Sequence, residues 1–142
     1  MSVITDVADA VVAELNAAAF SQPVEAKRAY LPQFDLAEMK DLHVTVVPKG
    51  VTILPGSRSQ NQHEVAIDVA VQQKLDKADN TEIDALMSLV DEIADRFRLK
   101  RLDSYPNAVW LKTEQLPIYS QEHLDQMRQF TSVLTFTFRV MR

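Results

Sequence analysis

The sequence has no cysteine, only two glycines and three histidines among 142 residues, and each shortage removes a kind of chemistry. Without cysteine there are no disulfides, no thiolate metal ligands and no thiol nucleophile, which fits a reducing cytoplasm. The glycines, Gly50 and Gly56, have five residues between them and Ser57 after them. A Walker A loop needs four residues between its glycines and a lysine after the second, so that loop is excluded. The three-glycine dinucleotide fingerprint and the Gly-x-Ser-x-Gly nucleophile elbow are missing as well. None of His43, His63 and His123 has a histidine three or four residues away, the spacing that puts two imidazoles on one helix face to share a metal. His43 and His63 are expected at strand ends and His123 on an exposed helix.

Basic excess and long apolar runs are also lacking. The formal net charge is -5 and the isoelectric point about 5.1. Gripping nucleic acid draws its affinity from neutralising phosphates, so overall acidity argues against that as the main task. Charges interrupt every apolar run well short of the ~20 residues that a membrane span needs. Met-Ser-Val-Ile-Thr-Asp at the start lacks the basic region of a secretory signal. The expectation is a soluble chain with no membrane partner. At 16.1 kDa, 46% hydrophobic and 25% charged, it suits a single domain over residues 1–142 with a buried core.

Periodicity supplies the elements. Ile4, Val7, Ala8, Val11 and Leu15 lie at helical spacing, with Thr5 as the expected N-cap, Asp6 and Asp9 opposing the helix dipole, and Pro23 closing the segment. An edge strand is expected over Val24 to Tyr30 and a short helical turn around Phe34, Leu36 and Met39. Leu42 to Val47 reads as a strand that resumes over Val51 to Leu54 after a bend at Pro48-Lys49-Gly50. Pro55 to Gln62 is the longest stretch without an apolar residue apart from its leading proline, and is expected to be an exposed, mobile loop. Val65, Ile67, Val69 and Val71 then alternate with polar residues as a half-buried strand.

Thr81 with Asp84 approximates a capping box for a second helix, whose buried stripe is Ile83, Leu86, Met87, Val90, Ile93, Ala94 and Phe97, with Arg96 mostly outside. A strand over Asn107 to Thr113 and a short helix from Ser120 through Met127 follow. In the last strand Phe130, Ser132, Leu134, Phe136, Phe138 and Val140 alternate with Thr131, Val133, Thr135, Thr137 and Arg139. Both faces are rich in β formers, which places it inside a sheet. The order favours an α+β fold: an antiparallel or mixed β-sheet packed against two main α-helices.

No set of residues reads as a catalytic, cofactor or metal site. Asp76, Asp79, Glu82 and Asp84 fail as a calcium loop, because Ala78, Thr81 and Met87 stand where ligands or the turn glycine belong. They read as a solvated turn and helix start. Trp110, Tyr105 and Tyr119 have acids as well as bases nearby and read as packing residues rather than base-stacking platforms. Arg96, Arg98, Lys100 and Arg101 complement the dipole at the second helix's C-terminal end.

Across most of its length the pattern resembles the tail terminator (tail-completion) proteins of long-tailed bacteriophages. The resemblance is carried by the first helix with Val11 to Leu15, by Arg28-Ala29-Tyr30-Leu31-Pro32 leading into Leu36, and by Leu42-His43-Val44-Thr45-Val46-Val47-Pro48. Ser57-Arg58 in the polar loop before Glu64 to Val71, the second helix, and Phe130 to Val140 complete it. It implies a virion protein of the tail and neck region, assembled in the host bacterial cytoplasm, that is not an enzyme and needs no cofactor. Its subunits would form a homo-oligomer, usually a hexameric ring, at the head-proximal end of the tail tube. That ring stops polymerisation, contacts the tail tube protein and a neck or head-completion protein, and lets DNA through its lumen without specific binding. Within this reading the loop Gly56, Ser57, Arg58, Ser59, Gln60 and Asn61 either orders on a partner ring or is a plain hairpin loop. A connector-stopper neck protein, or a small cytoplasmic enzyme whose site assembles only in three dimensions, are the rival expectations.

Overall fold

The computed structural model describes residues 2–30, 42–75, 79–115, 119 and 129–142. The turn around Phe34, Leu36 and Met39, the helix from Ser120 to Met127, and Asp76 and His123 lie outside them. In chain order the described elements are α1 (Val3–Ala17), β1 (Ala26–Arg28), β2 (His43–Pro55), β3 (Asn61–Lys74), α2 (Asn80–Phe97), β4 (Arg101–Leu102), β5 (Tyr105–Glu114) and β6 (Gln129–Met141). The strands make one mixed sheet in the order β1-β2-β3-β6-β5-β4, in which only β1 and β2 are parallel. The α+β class holds, with a strand-rich balance.

Register explains the one-sided core. Val71, Val69, Ile67 and Val65 of β3 stand beside Ser132, Leu134, Phe136 and Phe138 of β6, and Val44 and Val46 of β2 join the same rows. Successive strand residues point to opposite faces, so these side chains share one face. Every one of them is buried, and all but Ser132 form one cluster with Val7, Val11 and Leu15 of α1 and Leu89, Ile93 and Phe97 of α2. Phe97 packs on Phe136 at 4.7 Å between ring centroids and on Phe138 at 6.2 Å, edge-on to the latter. Such tilted aromatic contacts add about 1 kcal/mol beyond burial.

β6 has β3 on one side and β5 on the other, as its two-faced β composition predicts. The bend at Pro48-Lys49-Gly50 is a bulge: β2 runs unbroken from His43 to Pro55, and the register with β3 shifts between Pro48 and Gly50. One extra residue there raises local twist without ending the strand.

Both helix starts differ from expectation. α1 is entered from Ser2, and Thr5 donates its hydroxyl to the Ser2 carbonyl at 2.9 Å instead of capping. α2 is capped by Asp79, whose carboxylate accepts the Glu82 N–H at 3.0 Å, in place of Thr81. In both cases the helix begins earlier than the capping residue chosen from sequence, so that residue falls inside the first turn.

α1 also positions the sheet's edge. Asn16 accepts the Ala26 N–H at 2.8 Å and donates to the Ala26 carbonyl at 3.2 Å, so its amide takes the place of a neighbouring strand. Glu14, nearly fully buried, accepts from Arg96 Nε at 3.0 Å and from the Asp103 N–H at 2.8 Å. It therefore ties α1 to α2 and to the turn after β4, and Arg96, expected outside, is half-buried against it. Glu14→Ala is expected to lower the unfolding free energy by about 2 kcal/mol, because it strands a part-buried N–H and a half-buried guanidinium. Glu14→Gln keeps an acceptor oxygen and should lose less. Urea titrations followed by the fluorescence of the single tryptophan, Trp110, measure both.

Candidate assembly interface

The distal half of the β2–β3 hairpin stands clear of the core. Residues 51 to 60 are all exposed, and they include Val51, Ile53 (60% exposed) and Leu54. β-branched residues made this stretch a strand, as expected, but its burial pattern departs from alternation: both faces are open to solvent. On its inner side it pairs with β3 from Val51↔Val65 to Pro55↔Asn61. On its outer side β1 reaches only Val44 to Val46, and no described strand pairs with β2 beyond that.

The hairpin tip is tighter than the polar stretch predicts. Pro55 belongs to β2 and Asn61 and Gln62 to β3, leaving Gly56 to Gln60 as the connection. Ser57 donates its N–H to the Gln60 carbonyl at 2.9 Å. Asn61 and Arg142 exchange backbone hydrogen bonds, Asn61 N–H to Arg142 O at 2.7 Å and Arg142 N–H to Asn61 O at 3.0 Å. The base of the tip is thus held by the end of β6. Gly56 is required by close approach: a Cβ there would lie 2.7 Å from the Gln60 carbonyl oxygen and 2.7 Å from Met141 Cε. Ser57, Arg58, Ser59 and Gln60 remain exposed around this closed turn.

The opposite edge of the sheet is also partly open. β4 covers β5 through Arg101↔Val109 and Leu102↔Tyr105, and Trp110 donates its N–H to the Lys100 carbonyl at 2.9 Å. Beyond Trp110 the register shifts at Leu111, Lys112 to Glu114 pair on the β6 side, and Leu111 to Glu114 have no described strand on the other.

The sheet face away from the helices is polar. Asp68 lies at its centre, accepting from Thr135 Oγ1 at 2.6 Å and facing Lys49 Nζ at 3.9 Å, and Lys112 pairs with Glu114 at 3.0 Å. Lys49, Thr135, Lys112 and Glu114, with Thr52, Glu64 and Thr137, line an open groove of about 370 Å³. Its charges alternate in sign and are largely paired, so it concentrates neither an anion nor a cation. Among the described residues no three His, Asp or Glu side chains gather as metal ligands, and no helix is long and apolar enough to cross a membrane. His43 begins β2 and His63 lies near the start of β3, on different strands. Tyr105, Trp110 and Tyr119 pack against the core, and Trp110 donates Nε1–H to Thr113 Oγ1 at 2.8 Å.

Comparison with known proteins supplies the frame for this geometry. No family model matches the chain, and no curated protein matches it. Among solved structures it is similar to a chain from the virion of a native gene transfer agent particle, with a TM-score of 0.67 and 15% identity over 99% of this chain and 98% of that one. It is also similar to the sheath/tube terminator of an extracellular contractile injection system in its extended state, at a TM-score of 0.48 and 18% identity. There the chain spans 57% of the other's length, and the likeness is too partial to argue from. The chain has the fold of a gene transfer agent virion component, and at that level the resemblance read in the sequence is met.

Gly56→Ala is expected to lower stability by about 1 to 2 kcal/mol, since the Gln60 carbonyl is backbone and gives way only with the turn. The matching readout is faster amide exchange at Ser57 and Asn61, with the core amides of β6 unchanged.

Proposed function

We propose that this chain is a structural protein of the tail-terminator type, working by surfaces rather than by catalysis. Its subunits form a ring, hexameric in this reading, that caps the head-proximal end of a tail tube, stops tube growth and joins tail to head. The observation that carries the proposal is the fold shared over nearly the whole chain with a component of a gene transfer agent virion. Two features support it. An exposed hairpin and open strand edges offer backbone and apolar surface for protein contacts. The paired, mixed-sign charges of the polar sheet face and the net charge of -5 suit passage of DNA through a lumen without specific binding.

The tip Gly56 to Asn61 is assigned to contact with a partner ring. A turn closed at its base by Asn61 and Arg142, with Arg58 exposed at its crown, presents polar groups at fixed positions and so meets a partner at low ordering cost. Localisation in the tail and neck of a virion, assembly in the host cytoplasm and a single domain over residues 1–142 belong to the same proposal.

Loss of the protein during particle assembly should give overlong tails and unjoined heads in negative-stain micrographs. Normal tail lengths with unfilled or leaking heads would instead indicate a connector-stopper role. Replacing Ser57 to Gln60 by a two-residue Asn-Gly turn should leave the protein folded and its self-assembly intact while reducing joined particles at least tenfold. Unchanged joining would remove the tip from the contact.

A further inference from the structure

We infer that neighbouring copies of this chain join edge to edge, the outer edge of β2 at Val51–Leu54 pairing antiparallel with the outer edge of β5 at Leu111–Glu114 of the next copy. The inference deepens the ring reading and rests on it for closure, but the pairing itself is read from the sheet.

The first observation is an edge left unguarded among the described residues. Free strand edges are normally blunted by charge, proline, bulges or a covering element, because an open ladder recruits other chains. In β2 those devices stand only at the borders: Pro48, Lys49 and the bulge before the stretch, Pro55 after it. Between them Val51, Thr52, Ile53 and Leu54 carry no charge and no proline, have high β propensity, and are all exposed. Protection at both ends with none in the middle defines a short docking segment rather than a general hazard.

A second observation names the occupant. The open part of β5 lies on the opposite side of the same sheet. β2 and β6 run one way and β3 and β5 the other, so β2 of one copy meets β5 of the next in antiparallel sense without turning either molecule over. Two different edges on one chain make a heterologous contact, which repeats by rotation and gives a ring when that rotation closes.

The half-covers set the geometry. β1 shields the start of β2, whereas β4 shields the start of β5. Traced through the register onto β6, the middle of the open β2 segment falls level with Arg139 and Val140, and the middle of the open β5 segment level with Phe136 and Thr137. Directly opposed residues must share a face, so joining them offsets neighbouring copies by an even number of residues, two for Thr52 opposite Lys112 or four for Thr52 opposite Glu114, roughly 7 to 14 Å along the strand. A constant offset at every junction is a shear, which tilts the strands against the ring axis, as it does in closed barrels.

The cysteine-free sequence gives a clean background for cross-linking. Thr52, Leu54, Lys112 and Glu114 are exposed and share the face away from the helices, where cross-strand neighbours come within disulfide reach. Four double variants combine Thr52→Cys or Leu54→Cys with Lys112→Cys or Glu114→Cys and so sample the registers. Oxidation of the assembled full-length protein should give a ladder of covalent multimers in at least one double variant, collapsed by reductant, with every single variant remaining monomeric on the gel. Ile53→Lys should convert the assembly to monomer in light scattering with an unchanged circular dichroism spectrum. Covalent dimers from Thr52→Cys or Leu54→Cys alone would mean β2 pairs with itself and would overturn the inference. Rings that form without any ladder, or that survive Ile53→Lys, overturn the edge pairing while leaving the ring reading standing. A wild-type protein that stays monomeric, together with double variants that yield no ladder, overturns both.

Discussion

The ladder between β3 and β6, from Gln62↔Met141 to Lys74↔Gln129 without a register shift, is the constraint on which the other parts depend. It fixes which side chains of each strand face the helices, because a slip of one residue would turn outward either Val65, Ile67 and Val69 of β3 or Phe136 and Phe138 of β6. It also carries the β2 hairpin and the β5 edge on either side, so their relative height follows from it. The Phe97, Phe136 and Phe138 cluster then locks α2 onto the middle of this ladder. Among the described residues nothing comparable supports the distal hairpin, whose residues 51 to 60 are all exposed. A rigid centre with an unsupported arm suits a subunit that completes its packing only when it meets another protein.

Much of this was legible in residue patterns where local chemistry and burial agree. The alternation of β6 identified a strand inside the sheet, and Pro48-Lys49-Gly50 marked an irregularity that is a bulge. The helical stripe of α2 was right at Leu86, Val90, Ile93 and Phe97 but missed Leu89 and included the only partly buried Ile83, Met87 and Ala94. Cap positions were misplaced by two to three residues, since Ser2 and Asp79 stand at the N-caps assigned to Thr5 and Thr81 and only Asp79 caps through its side chain, several cap-competent residues standing close together. β4, at two residues, is too short to leave a period.

Other features were hidden for a physical reason: they depend on segments distant in sequence. Glu14 looks like any polar-face carboxylate of an amphipathic helix, and its burial depends on Arg96 and Asp103, which lie more than 80 residues away. Val51, Ile53 and Leu54 look like ordinary core strand residues. Only the sheet order, with β1 stopping at the level of Val46, reveals that they project past the core. The polar loop was visible, but the backbone exchange between Asn61 and Arg142 that shortens and closes it was not.

That exchange between Asn61 and Arg142 has a mechanical consequence. It extends the β3–β6 ladder to the very foot of the hairpin tip, so a load applied to the tip along the strands enters the sheet in shear. Hydrogen bonds loaded in shear share the force and must fail together, whereas bonds peeled from an end fail one at a time. A hairpin anchored this way can transmit axial tension into the sheet without first fraying at its base.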